Sequence, residues 1–390
     1  MPVYTFTRPT PAYLSNGTQV AANTPRFEQG RFGKAIMLEE GTTNLVNINN
    51  FTFYNGASLV DIVHPVTGKT VKAIKLPQGA STPVAFSQYL SLSTNTNYTV
   101  SFDLWASDNS NAAINIDLQP DTLPETQITP TTNVQRHTWT LSSSNSDMGN
   151  CRLRFFDDSF QPMPNDVYIA MIQLEQKPYA TSFIDGTRAA ETLTIPTAGV
   201  LNPQEGTVEC WVYVNSVVRR DIVANWPTVV LIRKGTSVAN WIWLLHDFYG
   251  NWALQIRKED GTITGDGSFN DSLTPDGWHY FAIRWNTQEG TAELFHNGVK
   301  RISLANVIFP AEYDRIEIGH RSGSGDWINS LIDDLRISNR ARTDAEILAA
   351  YQSGKPLPVD EWTTYKADFD EKIRFTNDGK IVCGGFETLA

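Results

Sequence analysis

Cysteine is scarce in this chain of 390 residues: there are three, Cys151, Cys210 and Cys383, odd in number and far apart. No CxxC pair and no nearby histidine accompanies them, so a zinc site is not expected. Cys151 and Cys210 lie in alternating apolar runs, where each reads as a small buried hydrophobe. Basic runs are missing as well. With 31 Lys and Arg against 42 Asp and Glu the formal charge is −11, which leaves no electrostatic footprint for nucleic acid and no polybasic segment for an anionic membrane. No stretch approaches the roughly 18 apolar residues of a membrane span. The opening MPVYTFTRPTPAY has neither the basic region nor the apolar core of a secretion signal, so export by an encoded signal peptide is not expected. None of the six histidines stands near a GxSxG elbow or in an HExxH frame, and His279 and His296, in strand patterns, read as packing or surface residues.

What the chain does have is aromatic rings: 11 Trp, 13 Tyr and 19 Phe, with charged residues at 19%. That is a folded composition, and the length predicts two or three domains, each with its own core. Period-2 alternation recurs. In NYTVSFDLWAS, Tyr98, Val100, Phe102 and Leu104 share a face; AINIDL repeats the pattern, and HTWTLS, CRLRFF and VYIAMIQLE follow between Asn, Ser, Pro and Gly clusters. Short strands so spaced predict a β-sandwich.

The second half repeats the logic. GTVECWVYVN alternates Val208, Cys210, Val212 and Val214 against Glu209, Trp211 and Tyr213. WHYFAIRWN and TAELFHNGVKRISL predict strands, with a hairpin turn at Asn297-Gly298, and YDRIEIGH and LIDDLRIS add two more. One substantial helix is predicted in RTDAEILAAYQSGKP. Thr343 and Glu346 form a capping box, Ile347, Leu348 and Tyr351 an apolar stripe, and Gly354 and Pro356 end it. Residues 1–44 form an arm rich in Pro, Thr, Asn and Gly, and KIRFTNDGKIVCGG reads as a hairpin turning at Asp378-Gly379. Such termini either dock on their own domains or are held by neighbouring subunits.

Thr24–Val46, TPRFEQGRFGKAIMLEEGTTNLV, resembles a segment of tailed-bacteriophage structural proteins through Pro25, Arg26, Phe27, Leu38, Glu39, Glu40, Thr43, Asn44 and Leu45. QLEQKPYATSFIDGTR, Gln173–Arg188, resembles the junction that closes the sandwich in those proteins. The sandwich between them resembles the jelly-roll carbohydrate-binding modules of glycanases. It departs from them at Ala170, where many such modules carry an acid that helps hold calcium, so calcium is not expected in this domain. Gly206–Val214, Asp276–Val299 and Leu331–Ile347 resemble laminin-G-like, concanavalin-A-like sandwiches. Fold alone does not give function, since lectins, adhesins, enzymes and structural modules share it.

Candidate sites follow from the aromatic run NWPTVVLIRKGTSVANWIWLLHDFYGNW, with Trp226, Trp241, Trp243, Tyr249 and Trp252. Sugar rings stack on exposed aromatic planes fixed by flanking polar groups. Trp241 and Trp243 are two apart on one strand face and are expected in the core, whereas Trp226, beside Pro227, is expected to be exposed. GHRSGSGDWINS offers Arg321, Asp326, Trp327 and Asn329 beside His320 on a loop; it is either a glycan site or a surface loop whose Trp327 packs down as a lid. Asp333 and Asp334 are weak calcium candidates, placed on opposite faces by strand alternation and without a DxDxDG cluster. No catalytic residue is assigned, and no other cofactor is expected.

The resulting expectation is an all-β chain of two tandem antiparallel β-sandwiches. An arm (1–44) precedes a jelly roll (45–188), a laminin-G/concanavalin-A-like sandwich (189–370) and a C-terminal hairpin (371–390). The resemblance implies a non-enzymatic virion protein of a tailed phage, of the tail or fibre type. It would contact other virion proteins and copies of itself as a homo-oligomer and bind host-surface glycan multivalently. The alternatives are a structural or decoration module that binds no sugar, and a glycan depolymerase with two facing carboxylates.

Overall fold

The computed structural model describes residues 4–109, 113–119, 126–143, 150–157, 159–218, 226–235, 239–247, 249–270, 272, 274–369, 373–375 and 381–383. The chain divides into two compact units: residues 10–19 with 41–188, and residues 1–9 and 20–40 with 189–390. Both are built from antiparallel strands, and the one α-helix among the described residues is Asp344–Gln352.

The first unit is a sandwich of two five-stranded sheets. One runs Thr126–Ile128, Ile114–Gln119, Arg152–Phe156, Val84–Phe86, Thr52–Tyr54. The other runs Gln135–Ser143, Thr96–Ala106, Val167–Glu175, Thr70–Leu76, Ser58–Val63. Alternation decides what is buried: Tyr98, Val100, Phe102 and Leu104 meet Ile114, Ile116, Leu118 and Phe155 in one core. Each such side chain withdrawn from water contributes about 1.5–3 kcal/mol. Ala170 is buried beside Ala73 and Trp105 in an apolar cluster, so this position has no side-chain oxygen. The closing segment folds back through its own polar side chains. Gln173 Oε1 accepts the Ile184 N–H at 2.7 Å, and Glu175 accepts the Thr181 N–H at 2.9 Å and the hydroxyls of Thr42 and Thr181, each at 2.6 Å.

The second unit pairs a seven-stranded sheet with an eight-stranded one. The first runs Thr5–Thr7, Thr192–Pro196, Arg315–Ile318, Thr228–Arg233, Trp241–His246, Asn251–Arg257, Ile263–Asn270. The second runs Val299–Leu304, Thr291–His296, Gly277–Asn286, Glu205–Val214, Ser330–Ser338, Lys34–Leu38, Arg26–Gln29, with Thr363–Ala367 also paired to Ser330–Ser338. Val208, Cys210, Val212 and Val214 face Ile242, Leu244, Leu254 and Ile256 across the core. Burial pushes the Cys210 thiol up to about 12, so it stays protonated and inert at neutral pH. The helix covers the other face of the eight-stranded sheet, where Ile347 packs with Trp211, Tyr280 and Phe295. Its capping box is present as read, and Leu348 departs from the expected stripe by being exposed. Asn297 and Gly298 both take positive φ, 50° and 75°, as a two-residue hairpin between right-twisted strands requires.

The first 44 residues are not a separate arm. Thr5–Thr7, Arg26–Gln29 and Lys34–Leu38 are strands of the second unit, while residues 10–19 belong to the first. Burying Arg26 is made tolerable by an ion cluster. Arg26 donates to Glu191 and Glu39, and Arg8 Nη1 meets Glu191 Oε1 at 2.6 Å, with the arginines and Glu191 wholly buried. Burial works against the Arg26 charge, and the two carboxylates more than reverse that, holding its pKa above the ordinary value. Near the other end, Ile373–Phe375 pairs with Ile381–Cys383, and the turn read at Asp378-Gly379 lies outside the described residues.

Candidate functional site

The strand Trp241–His246 sends Ile242 and Leu244 inward, so Trp241, Trp243 and Leu245 occupy the outer face of the seven-stranded sheet. They form a second apolar cluster there with Leu231 and Ala253, and Trp226 packs against it. Trp241 and Trp243 do share a face and are buried, yet they stand outside the inter-sheet core. Of the tryptophans in that run, Trp252 is in that core, together with Trp285 from Gly277–Asn286. A sheet face this apolar is covered from outside, here by the segments around Trp226 and Arg321.

Those two segments hold each other. The Trp226 ring stacks on Trp243 with centroids 5.7 Å apart and planes at 16°. The Arg321 guanidinium lies 4.6 Å from the Trp243 ring centroid. Asp326, buried, closes the circuit: Oδ1 accepts the Trp226 N–H at 2.9 Å, and Oδ2 pairs with Arg321 Nη2 at 2.6 Å. Trp243 Nε1 donates to Thr228 Oγ1 at 3.0 Å.

Beside Trp226 lies an open groove of about 360 Å³, lined also by Leu245, Asp247, Tyr249, Asn251, Ala253, Gln255, Asp266, Gly267 and Ser268. Asp247 shapes its rim, its Oδ1 accepting the N–H groups of Tyr249 at 2.9 Å and Asn251 at 2.8 Å. That turn presents the Tyr249 ring, which is 75% exposed. On Ile263–Asn270, glycines face inward because the partner sheet leaves no room: a Cβ on Gly267 would stand 2.7 Å from Ile302 Cγ2. Alternation then turns Asp266 and Ser268 outward. Gln255 accepts from Trp241 Nε1 at 3.2 Å and hydrogen-bonds Asp266, whose pKa is nevertheless raised, by burial first and by the Asp247 charge second.

Among the described residues, no basic side chain lines this groove. It combines aromatic surface with carboxylate, amide and hydroxyl groups, the set that binds a sugar by stacking and by pairing with its hydroxyls. Asp247 and Asp266 are close enough to sense each other, but Asp247 is engaged by its own turn, with both oxygens also near Asn251 Nδ2 at 3.3 and 3.2 Å.

The sequence candidates separate accordingly. Trp226, Arg321 and Asp326 come together; Trp226 is half-buried rather than fully exposed. Trp327 does not join them. Its Nε1 donates to the Glu191 carbonyl at 2.7 Å and its ring stacks with His320, the lid arrangement. Asn329 is buried, its amide bonded twice to Glu40, Oδ1 from the backbone N–H and Nδ2 to Oε1, both at 2.8 Å. Asp333 and Asp334 do not fall on opposite faces. A bulge sets Trp211 against Asp333 and Glu209 against Arg336, and the extra residue, Asp334, takes φ +54°. Asp333 Oδ2 accepts the Phe32 N–H at 3.0 Å and Asp334 Oδ2 the Leu357 N–H at 2.6 Å, both donors belonging to the outer-face cluster. Asp334 Oδ1 is in contact with Lys366 Nζ, so that oxygen is already taken up by a protein side chain. Asp247, Gln255 and Asp266 went unremarked in sequence; the alternation of Gly265 and Gly267 around Asp266 was the available signal.

Among solved structures, the chain is similar to domain 4 of an extracellular arabinanase from Geobacillus stearothermophilus in complex with arabinotriose, at 19% identity and TM-score 0.30, over 44% of this chain and 79% of that one. The CBM40 module of the Ruminococcus gnavus IT-sialidase matches at 14% identity and TM-score 0.32, over 39% and 84%. The enzymatically active domain of bacteriophage CBA120 tailspike protein 2 matches at 14% and 0.32, over 43% and 27%. No curated protein matches the chain. Residues 185–348, which include the groove, match the family described as the concanavalin A-like lectin/glucanases superfamily, of laminin G type.

Proposed function

We propose that this chain is a non-enzymatic glycan-binding protein whose site is the groove beside Trp226, and that it takes neutral or amino sugars in preference to anionic ones. The observation that carries the reading is the lining itself: Trp226 and an exposed Tyr249 flank Asp247, Gln255, Asp266 and Ser268, with no cation among them. A sialic or uronic acid entering there would meet two carboxylates, and like-charge contact disfavours binding. The lectin-type family matched by this domain supports the same class of ligand. Against glycoside hydrolysis stands Asp247, whose oxygens are committed to its turn; a hydrolase needs both carboxyls available to substrate and water.

The setting follows the resemblance of Thr24–Val46 to tailed-phage structural proteins: a virion component exposed on the particle, present in several copies, contacting neighbouring virion proteins and host-surface glycan. Shallow sites of this kind bind weakly one at a time and gain from repetition.

A glycan array and a cell-wall pull-down with the full chain test the reading. Expected is binding to neutral or amino glycans that Trp226→Ala removes and Trp327→Phe keeps, with no new reducing ends released from the bound glycan. Binding to none of the glycans or wall fractions, tested at high density, defeats the glycan reading. Steady release of reducing ends shows a hydrolase instead.

A further inference from the structure

Behind the helix, on the outer face of the eight-stranded sheet, an amine and a carboxyl are sealed together. Lys366 Nζ contacts Asp334 Oδ1, and both side chains are 0% exposed. They sit on neighbouring antiparallel strands, Thr363–Ala367 and Ser330–Ser338. The bulge at Asp334 aims its carboxyl out of the ladder, and the Leu357 N–H fixes Oδ2 at 2.6 Å. Arg336, directly across from Lys366 in register, is already matched bidentately by Glu209 at 2.8 Å through each of two bonds. Asp334 is the carboxyl that Lys366 contacts.

Burying two full charges away from water is costly, and burial favours the neutral forms of both amine and acid. We propose that the pair has condensed, so that Lys366 and Asp334 are joined by an isopeptide bond. The proton of the ammonium passes to Oδ1, leaving a neutral amine beside a neutral carboxylic acid. The Nζ lone pair attacks Cγ, and negative charge developing on Oδ2 is met by the Leu357 N–H. A second Nζ proton passes to Oδ1, the Cγ–Oδ1 bond breaks, and one water leaves. An ammonium and a carboxylate become an amide plus water, with no oxidant, reductant or further reactant.

The bond would pin Thr363–Ala367 covalently to Ser330–Ser338, an interior strand of its sheet. It would also close the loop containing the helix, a modification that constrains the unfolded chain as a disulfide does, using no cysteine.

The test is the intact mass of the purified full-length chain under denaturing conditions, which needs no folded variant. Expected is a mass lower than the sequence mass by one water, with a branched proteolytic fragment joining Lys366 to Asp334. Lys366→Arg and Asp334→Ala would each restore the full mass. A wild-type chain at full sequence mass overturns the proposal. So does a water loss that survives in Lys366→Arg.

Discussion

The backbone N–H of Trp226 donates to Oδ1 of Asp326 at 2.9 Å, across 100 residues of sequence. This bond ties the segment entering one strand to the loop leaving another, and the stack of Trp226 on Trp243, with Arg321 also against Trp243, rests on it. The groove's aromatic wall is therefore built by a buried carboxylate that need not touch the ligand itself.

Asp326→Asn leaves Arg321 without its charge partner and loosens the hold on Trp226. Because Arg321 keeps some solvent contact, the cost in stability is at the low end for a broken buried pair, about 2–3 kcal/mol. Glycan affinity is expected to fall about tenfold, equivalent to about 1.4 kcal/mol, through misplacement of the Trp226 ring. Denaturant melts and titration calorimetry read the two effects separately.

Asp266 has its pKa raised by burial and by Asp247. A raised carboxyl disfavours the native state once it ionises. Its contribution is most favourable below the ordinary value of 3.8 and is lost as pH rises through the higher native value. Asp266→Asn should therefore raise Tm slightly at pH 7, on the order of 1 °C given its partial exposure, and the difference should shrink and vanish toward pH 3. Thermal melts across that range check the sign.

Glu191 stands between two buried arginines, bonded to both Arg8 and Arg26. Glu191→Gln keeps the shape and removes the charge that compensates them. A loss of about 3–5 kcal/mol is expected, read as a shift in the denaturation midpoint. An unchanged midpoint would mean that Glu39 alone holds the cluster.

Much of the fold could be read from sequence because alternation reports burial directly: Val208 through Val214 and Tyr98 through Leu104 face the cores as their spacing demands. Three features escaped that rule for physical reasons. The residues before 45 are too polar to form a core, yet they supply strands because Arg26 can be buried as the partner of both Glu191 and Glu39. Trp241 and Trp243 looked like core because same-face indoles are buried, and spacing cannot say which side of a sheet is covered from outside. The bulge at Asp334 breaks the two-residue period, and no local residue pattern announces an inserted residue. At the site, Trp226, Arg321 and Asp326 were legible as residue types suited to sugar. Their association with Asp247 and Asp266 depends on strand order, which brings the strands Trp241–His246, Asn251–Arg257 and Ile263–Asn270 side by side.

The location of the binding site is tested most directly by indole N–H resonances of the full chain during titration with neutral oligosaccharides. The account predicts that Trp226 and Trp243 shift on binding, that Trp327 does not, and that anionic sugars leave all three unmoved. Shifts confined to Trp327, or equal responses to anionic and neutral sugars, would contradict it.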